Sequence, residues 1–160
     1  MTKAAPLECP PRKVEKAWLD LNGHMNMAYY HLLFDQSLDG IFSDLGIGWE
    51  YTKKGENSCF IGEVHVCYIA ELKEATPVRI TYQLLDWDAK RLHIFGHMYN
   101  GETGKLSATS EQMSVHIDMK TRRVAPFPET IQAKIANLME SQKDLPRPAQ
   151  AGRVMGITRK

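Results

Sequence analysis

Residues 18–30 read Trp18-Leu19-Asp20-Leu21-Asn22-Gly23-His24-Met25-Asn26-Met27-Ala28-Tyr29-Tyr30. Within seven of these positions the chain places a carboxylate, two carboxamides, a glycine and an imidazole. An apolar pattern with helical spacing follows at once. Because the first N–H groups of a helix have no partner inside the helix, polar side chains collected at a helix start predict a site for chemistry. We therefore interpret the rest of the chain as the scaffold for this segment.

A long amphipathic helix is predicted directly after this segment. Large apolar side chains recur at intervals of three and four residues, at Tyr30, Leu33, Phe34, Leu38, Ile41, Phe42 and Leu45. Asn26 is a suitable N-cap, and Gly46 is a suitable C′ glycine after the last apolar position. The density of large apolar side chains predicts that one side of this helix is buried.

Strand-like segments dominate the chain from residue 58 onward. They cover residues 58–70, 77–86, 91–99 and 105–118. In the first segment, the alternation predicts one face with Phe60, Gly62, Val64, Val66 and Tyr68 and another with Ile61, Glu63, His65, Cys67 and Ile69. The short connections between the later segments predict an antiparallel meander. Residues 46–57 are expected to form a loop, and a short helix is predicted over residues 129–141.

This order of elements predicts an α+β fold in a single domain. A curved antiparallel sheet wrapped around one long central helix would bury the apolar face of that helix. We expect an N-terminal arm over residues 1–10, the domain over residues 11–141, with a weak first strand in residues 11–18, and a basic, flexible tail over residues 142–160. A single sheet layer leaves an edge strand and an outer face to be covered, so a homodimer or homotetramer is expected.

Composition limits the classes of protein that fit. The chain has 160 residues, 43% apolar and 24% charged, and a net charge of +1, so nothing predicts a nucleic acid or membrane partner. No apolar run approaches the ~20 residues that span a bilayer, and no signal peptide is recognised at the N-terminus. The odd set of Cys9, Cys59 and Cys67 predicts reduced thiols in a cytoplasmic protein. The spacing of the histidines implies no metal, and no cofactor is expected.

Asp20-x-x-Gly23, followed by Asn26 and the helix, resembles the active-site loop of the hot dog fold acyl-CoA thioesterases of the 4-hydroxybenzoyl-CoA thioesterase group. The resemblance covers roughly residues 11–120. The loop also looks like that of acyl-carrier-protein thioesterases, but Met27 stands where a second asparagine usually follows in that group. The hot dog resemblance implies a curved sheet around a central helix, and an acyl-CoA as the substrate.

A narrower resemblance is carried by three stretches, which cover residues 18–39, 63–72 and 84–93. Together they resemble the betainyl-CoA thioesterases of bacterial carnitine degradation. This implies hydrolysis of a small polar acyl-CoA to the free acid and CoA. Two alternatives stay open: a thioesterase for aromatic or fatty acyl-CoA, and a non-catalytic module that binds acyl-CoA.

The polar loop offers several candidate catalytic residues. Asp20 either attacks the thioester carbonyl or activates a water, unless its side chain only caps a turn. Gly23 allows close approach of the backbone, and the helix N-terminus can hold an oxyanion. His24 either polarises the carbonyl, positions Asp20 or is an ordinary loop histidine. Asn26 either orients the substrate or only caps the helix, and Asn22 is expected to stiffen the loop.

Other candidates lie outside the loop. Glu63 and His65 share a strand face and either form a second wall of the site or a polar pair at a subunit interface. A trimethylammonium group favours aromatic faces. The candidate substrate-binding rings are Trp18, Tyr29 and Tyr68, whereas Tyr30 is expected to pack in the core.

Overall fold

The computed structural model describes residues 4–157 and residue 159. Its elements, in chain order, are β1 (Leu7–Glu8), β2 (Arg12–Lys13), a short 3-10 helix (Lys16–Trp18), α1 (Met27–Leu45), α2 (Trp49–Lys53), β3 (Asn57–Tyr68), β4 (Pro77–Trp87), β5 (Arg91–Asn100), β6 (Leu106–Asp118), β7 (Arg123–Val124) and α3 (Glu129–Gln142). The long strands form one antiparallel sheet in the order β4-β5-β6-β3. One long helix, α1, packs against this sheet, which confirms the predicted α+β fold.

The ends of α1 lie where the sequence predicts them. The side chain of Asn26 accepts the N–H of Ala28 at 3.0 Å, which caps the first turn. Gly46 ends the helix with a φ of 86°, a left-handed conformation that favours glycine. The apolar stripe of α1 is buried at Tyr30, Leu33, Phe34, Leu38, Ile41 and Leu45. The burial of this stripe fixes α1 against the sheet.

Three residues on three elements pack tightly where α1 meets the sheet. Tyr82 of β4 is fully buried, and its hydroxyl donates to the carbonyl oxygen of Phe34 at 2.6 Å. Gly96 of β5 leaves the space for these two rings. A Cβ at Gly96 would lie 2.6 Å from Tyr82 Cε1 and 3.0 Å from Phe34 Cε1. The absence of a side chain at this position therefore lets the helix lie close to β4 and β5.

Several short elements differ from the sequence expectations. Leu7–Glu8, within the expected arm, pairs with β4. In the expected first strand, only Arg12–Lys13 pairs with β4, because the chain then turns into the 3-10 helix at Lys16–Trp18. The expected loop over residues 46–57 contains α2, whose first turn is closed by the N–H groups of Tyr51 and Thr52, which donate to the carbonyl of Gly48. The strand β7, which pairs with the end of β6, was not predicted.

The expected tail makes contacts with the sheet at two points. Gln142 is the last residue of α3, and its buried side chain accepts the N–H of Leu84 at 2.8 Å. The N–H of Gly152 donates to the Glu111 carboxylate at 2.8 Å. Residues 1–3 of the expected arm, and Thr158 and Lys160 of the expected tail, lie outside the described residues. The division of the chain into arm, domain and tail stays a prediction.

The predicted faces of β3 are wrong in its first half. The pairing with β6 changes register between Ile61 and Glu63, where a bulge at Gly62 adds one residue. Ile61 therefore packs against the core, on the same side as Val64, which lies opposite Gln112. Beyond the bulge the predicted alternation holds, and Glu63 lies on the outer face of the sheet.

We predict opposite effects of alanine at two glycines. Gly96→Ala should destabilise the protein by roughly 1–3 kcal/mol, because the new methyl group overlaps Tyr82 and Phe34. Gly40→Ala should stabilise it by about 1 kcal/mol, since Gly40 is exposed within α1 and a Cβ there meets nothing within 4 Å. Denaturant unfolding followed by circular dichroism measures both. A Gly96→Ala variant as stable as the wild type would contradict this packing.

Candidate active site

A pocket of about 460 Å³ opens at the N-terminal end of α1. Three segments line it: the loop before α1, the first turn of α1, and the chain that follows β3. Its lining residues are Asp20, His24, Met25, Asn26, Met27, Tyr30, Tyr68, Ile69, Ala70 and Glu71. The structure thus brings four of the predicted site residues together around one space: Asp20, His24, Asn26 and Tyr68.

Backbone hydrogen bonds close the loop that carries Asp20. The N–H of Asp20 donates to the carbonyl of His24 at 3.0 Å, and the N–H of Gly23 donates back to the carbonyl of Asp20 at 3.0 Å. Gly23 has a φ of 77°, and a Cβ there would meet nothing within 4 Å. Gly23 is therefore favoured by the turn itself and not by close packing.

Two further bonds tie this loop to the rest of the fold. The N–H of Met25 donates to the carbonyl of Leu72 at 2.7 Å, and the N–H of Asn26 donates to the carbonyl of Trp18 at 2.9 Å. The first bond reaches the segment after β3, and the second reaches the 3-10 helix. The loop is thereby held between two parts of the chain that are distant from each other in sequence.

The Asp20 carboxylate is held by its neighbours through one oxygen. The backbone N–H of Asn22 donates to Oδ1 at 2.8 Å, which is the turn-capping role that the sequence left open. The other oxygen, Oδ2, has longer contacts, at 3.4 Å to the side-chain amide of Asn22 and at 3.9 Å to Nδ1 of His24. Asp20 is 23% exposed. One oxygen is thus oriented by the loop, while the other makes only the longer contacts.

His24 and Asn26 have distinct surroundings. Nδ1 of His24 lies 3.4 Å from the carbonyl of Met25, and its 3.9 Å distance to Asp20 is too long for a hydrogen bond. Asn26 uses its side-chain oxygen to cap α1. The N–H of Met27, the next residue, has no hydrogen-bond acceptor within residues 4–157. Met27 itself lines the pocket, so the first turn of the helix borders this space.

Two tyrosines form an aromatic wall of the pocket. The rings of Tyr30 and Tyr68 meet edge to face, with centroids 5.4 Å apart. Tyr30 is buried in the core, as predicted, but it also lines the pocket. The hydroxyl of Tyr68 donates to the carbonyl of Met27 at 3.4 Å. Burial raises the pKa of both phenols, so both rings are neutral at physiological pH.

The structure does not bring the other predicted site residues to this pocket. Trp18 and Tyr29 stack on each other with centroids 5.5 Å apart, and neither lines the pocket. Glu63 and His65 lie on the sheet face opposite α1, where Glu63 lines a separate pocket of about 120 Å³. Their roles in substrate binding and catalysis stay predictions.

Sequence reasoning missed the contributions of Met27, Tyr30 and Glu71 to the pocket. The carboxylate of Glu71 lies 3.5 Å from the ammonium of Lys73, and its side chain is 56% exposed. The available signal was its position three residues after Tyr68, at the end of a strand. Nothing in the sequence pattern shows that this strand end meets the N-terminus of α1.

Among the described residues, no group of three or more His, Cys, Asp and Glu side chains is arranged to hold a metal ion. In the same part of the chain, the helices all fall short of the length and apolarity needed to cross a membrane.

Comparison with known proteins gives concordant matches. The family model described as the Thioesterase-like superfamily matches residues 14–135. A betainyl-CoA thioesterase from Pseudomonas aeruginosa is 36% identical over 140 residues, which cover 88% of this chain and 88% of that protein. An L-carnitine dehydrogenase/betainyl-CoA thioesterase from Rhizobium meliloti is 34% identical over 156 residues, which cover 98% of this chain. This chain spans 31% of the length of that longer relative.

Among solved structures, the chain is similar to a Staphylococcus aureus protein determined in complex with CoA. The two share 26% sequence identity and a TM-score of 0.91, and the match covers 99% of each chain. The similarity extends over the pocket at the N-terminus of α1, since it includes nearly the whole chain.

We predict that the stability cost of replacing Gly23 depends on how well the new residue tolerates a positive φ. Gly23→Val should destabilise the protein by roughly 1–2 kcal/mol, because a positive φ places Cβ too close to the backbone. Gly23→Asn is the matched control, since asparagine tolerates this region better and the site is open. Thermal unfolding measures the difference, and equal stability of the two variants would contradict the turn geometry.

Proposed function

Because the chain belongs to the thioesterase-like superfamily, we propose that it is an acyl-CoA thioesterase that hydrolyses betainyl-CoA to betaine and CoA. The observation that carries the proposal is the Asp20 carboxylate, which lines a pocket at the N-terminus of α1. The similar betainyl-CoA thioesterase supports the acyl group. The similar structure in complex with CoA supports CoA as the other half of the substrate.

In this proposal Asp20 supplies the carboxylate that thioester hydrolysis needs. Oδ2 either attacks the carbonyl carbon, forming an acyl-enzyme anhydride that water then hydrolyses, or removes a proton from an attacking water. In both routes the C–S bond breaks and the CoA sulfur leaves with the electron pair, to be protonated afterwards. The Asn22 N–H bond to Oδ1 orients the carboxylate for either route.

The first turn of α1 supplies oxyanion stabilisation in the same proposal. Among the described residues the N–H of Met27 has no acceptor, and the partial positive charge at the helix start favours a developing negative charge. α1 carries no acidic residue in its first turn that would compete for this role. His24 and Asn26 would act as helpers, His24 beside the carboxylate and Asn26 by fixing the helix start.

The pocket suits the acyl group of betainyl-CoA. The quaternary nitrogen of this acyl group is two bonds from the carbonyl carbon. A thioester carbonyl held at Asp20 and Met27 would therefore place the cation inside the same pocket. The rings of Tyr30 and Tyr68 line that space. Aromatic faces attract quaternary ammonium groups, which supports this acyl group over an aromatic or fatty one.

We also propose that the protein assembles as a homodimer or homotetramer in the cytoplasm. Within the described part of the chain, β3 pairs with β6 along one edge only, and Phe60 and Tyr68 on this strand are 39% and 47% exposed. An unpaired edge strand with exposed aromatic rings favours a second copy as its cover. Glu63 and His65 on the outer face of β3 then fit the alternative of a polar pair at a subunit interface. The three free cysteine thiols support the cytoplasmic location, because reduced thiols persist in a reducing compartment.

Replacement of the Asp20 carboxylate tests the mechanism. Asp20→Asn should lower kcat for betainyl-CoA by on the order of 10²–10⁴-fold, because the amide is neither a nucleophile nor a base. It can still accept the Asn22 N–H, so the fold should be unchanged. The measurement is release of the CoA thiol, detected with a chromogenic thiol reagent.

Asp44→Asn provides the control for this test, since Asp44 lies at the other end of α1 and outside the pocket. It should retain wild-type activity. Full activity of Asp20→Asn would refute the role of Asp20, and a wild-type protein that releases no CoA from any acyl-CoA would refute the thioesterase proposal.

The oligomer has its own test. Analytical ultracentrifugation should give two or four times the chain mass of 18.2 kDa, because β3 needs a partner for its open edge. A single species of 18.2 kDa at micromolar concentration would contradict the proposed assembly.

A further inference from the structure

The pocket contains a second carboxylate that the proposed mechanism does not use. Glu71 lines the same space as Asp20, on the wall formed by the chain after β3. A site that only binds and cleaves a neutral acyl group has no need for a second negative charge beside the reacting carboxylate. A negative charge at the position of Glu71 favours an acyl group that carries a positive charge.

The backbone on both sides of Glu71 is fixed to α1. The hydroxyl of Tyr30 accepts the N–H of Leu72 at 3.0 Å and donates to the carbonyl of Ala70 at 3.4 Å. The carbonyl of Leu72 in turn accepts the N–H of Met25 from the Asp20 loop. Leu72 is fully buried, whereas Glu71 lines the pocket. The position of Glu71 relative to Asp20 is thus set by hydrogen bonds and not by a free loop.

The neighbouring Lys73 neutralises the charge of Glu71 only weakly. Its contact with Lys73 is 3.5 Å long, and the two side chains are 56% and 72% exposed. An exposed ion pair of this kind is weak. Within the pocket, burial is the main cause of the raised pKa of Tyr30, and the negative charge of Glu71 adds to that rise. The charge of Glu71 therefore reaches the ring of Tyr30, which lines the pocket.

We infer that Glu71, with the rings of Tyr30 and Tyr68, forms the subsite that selects a quaternary ammonium acyl group. This inference rests on the proposed thioesterase function and assigns its acyl specificity. A quaternary ammonium has no N–H to donate, so ring faces and negatively charged groups are the features that recognise it. The edge-to-face pair of rings provides the first, and Glu71 provides the second. Apolar side chains of Met25, Met27 and Ile69 surround the methyl groups.

A pair of isosteric substrates isolates the contribution of charge. Betainyl-CoA and 3,3-dimethylbutanoyl-CoA differ in having nitrogen or carbon at the branched centre, so they share a shape and differ by one positive charge. The wild-type protein should show a higher kcat/KM for betainyl-CoA. Glu71→Gln should lower kcat/KM for betainyl-CoA by at least about tenfold and leave that for the neutral isostere within about twofold.

Two further variants complete the test. Glu74→Gln removes a negative charge from the same segment between β3 and β4, but Glu74 lies outside the pocket. This variant should therefore leave kcat/KM unchanged for both substrates. Tyr68→Leu removes a ring face and keeps an apolar side chain, so it should also reduce the preference for the cationic substrate. Because Glu71 is exposed, unchanged thermal unfolding is expected for Glu71→Gln, whereas Tyr68→Leu should lower stability slightly through its lost contacts with Tyr30 and Met27.

The outcomes separate this inference from the function on which it rests. Glu71→Gln with an unchanged ratio of the two kcat/KM values would overturn the role of Glu71 and leave the thioesterase proposal intact. An equal loss on both substrates would overturn it in the same way, since a general structural effect does not distinguish charge. A wild-type protein that hydrolyses neither thioester would overturn both proposals together.

Discussion

The burial of α1 against one face of the sheet is the constraint on which the rest of the structure depends. The hydroxyl of Tyr82 bonds the carbonyl of Phe34, and Gly96 leaves room for both rings, so the helix cannot slide along the sheet without losing this contact. The position of its first turn is then determined as well. The N–H of Met27 and the capping side chain of Asn26 are consequences of where the helix starts. Chemistry at the pocket is thus placed by core packing.

The same helix organises the electrostatics of the pocket. The helix N-terminus is the positive end of a dipole and favours negative charge near it, either that of Asp20 or that of an oxyanion. Two carboxylates line the space, and a cationic acyl group would compensate the charge that the helix does not. A positive nitrogen two bonds from the carbonyl also makes that carbon more electrophilic. In betainyl-CoA, one charge would therefore contribute to binding and to reactivity.

Much of this architecture could be predicted from local sequence signals. Asn26 and Gly46 marked the ends of α1, and the long strands lie within two residues of their predicted ends, because caps, turns and alternation are local. The bulge at Gly62 and the two-residue strand Leu7–Glu8 were missed, since both depend on pairing with distant strands. Glu71 was missed for the same reason.

The candidate site was predictable in part. The resemblance identified Asp20 and Gly23, and the loop hydrogen bonds now give them defined geometry. Trp18 and Tyr29 were plausible rings for a cation, but their mutual stacking leaves them outside the pocket. The aromatic side chains that reach the pocket are determined by the packing of α1 against the end of β3. This packing is a long-range contact, and no local sequence pattern predicts it.

The central claim is that one pocket holds the cationic acyl group and cleaves its thioester. The most direct test is a crystal structure of the inactive Asp20→Asn variant with betainyl-CoA bound. We expect the thioester carbonyl oxygen within hydrogen-bond distance of the Met27 N–H, and the trimethylammonium group against Tyr30, Tyr68 and Glu71. An acyl group bound elsewhere, such as in the separate pocket lined by Asp35 and Trp49, would contradict it.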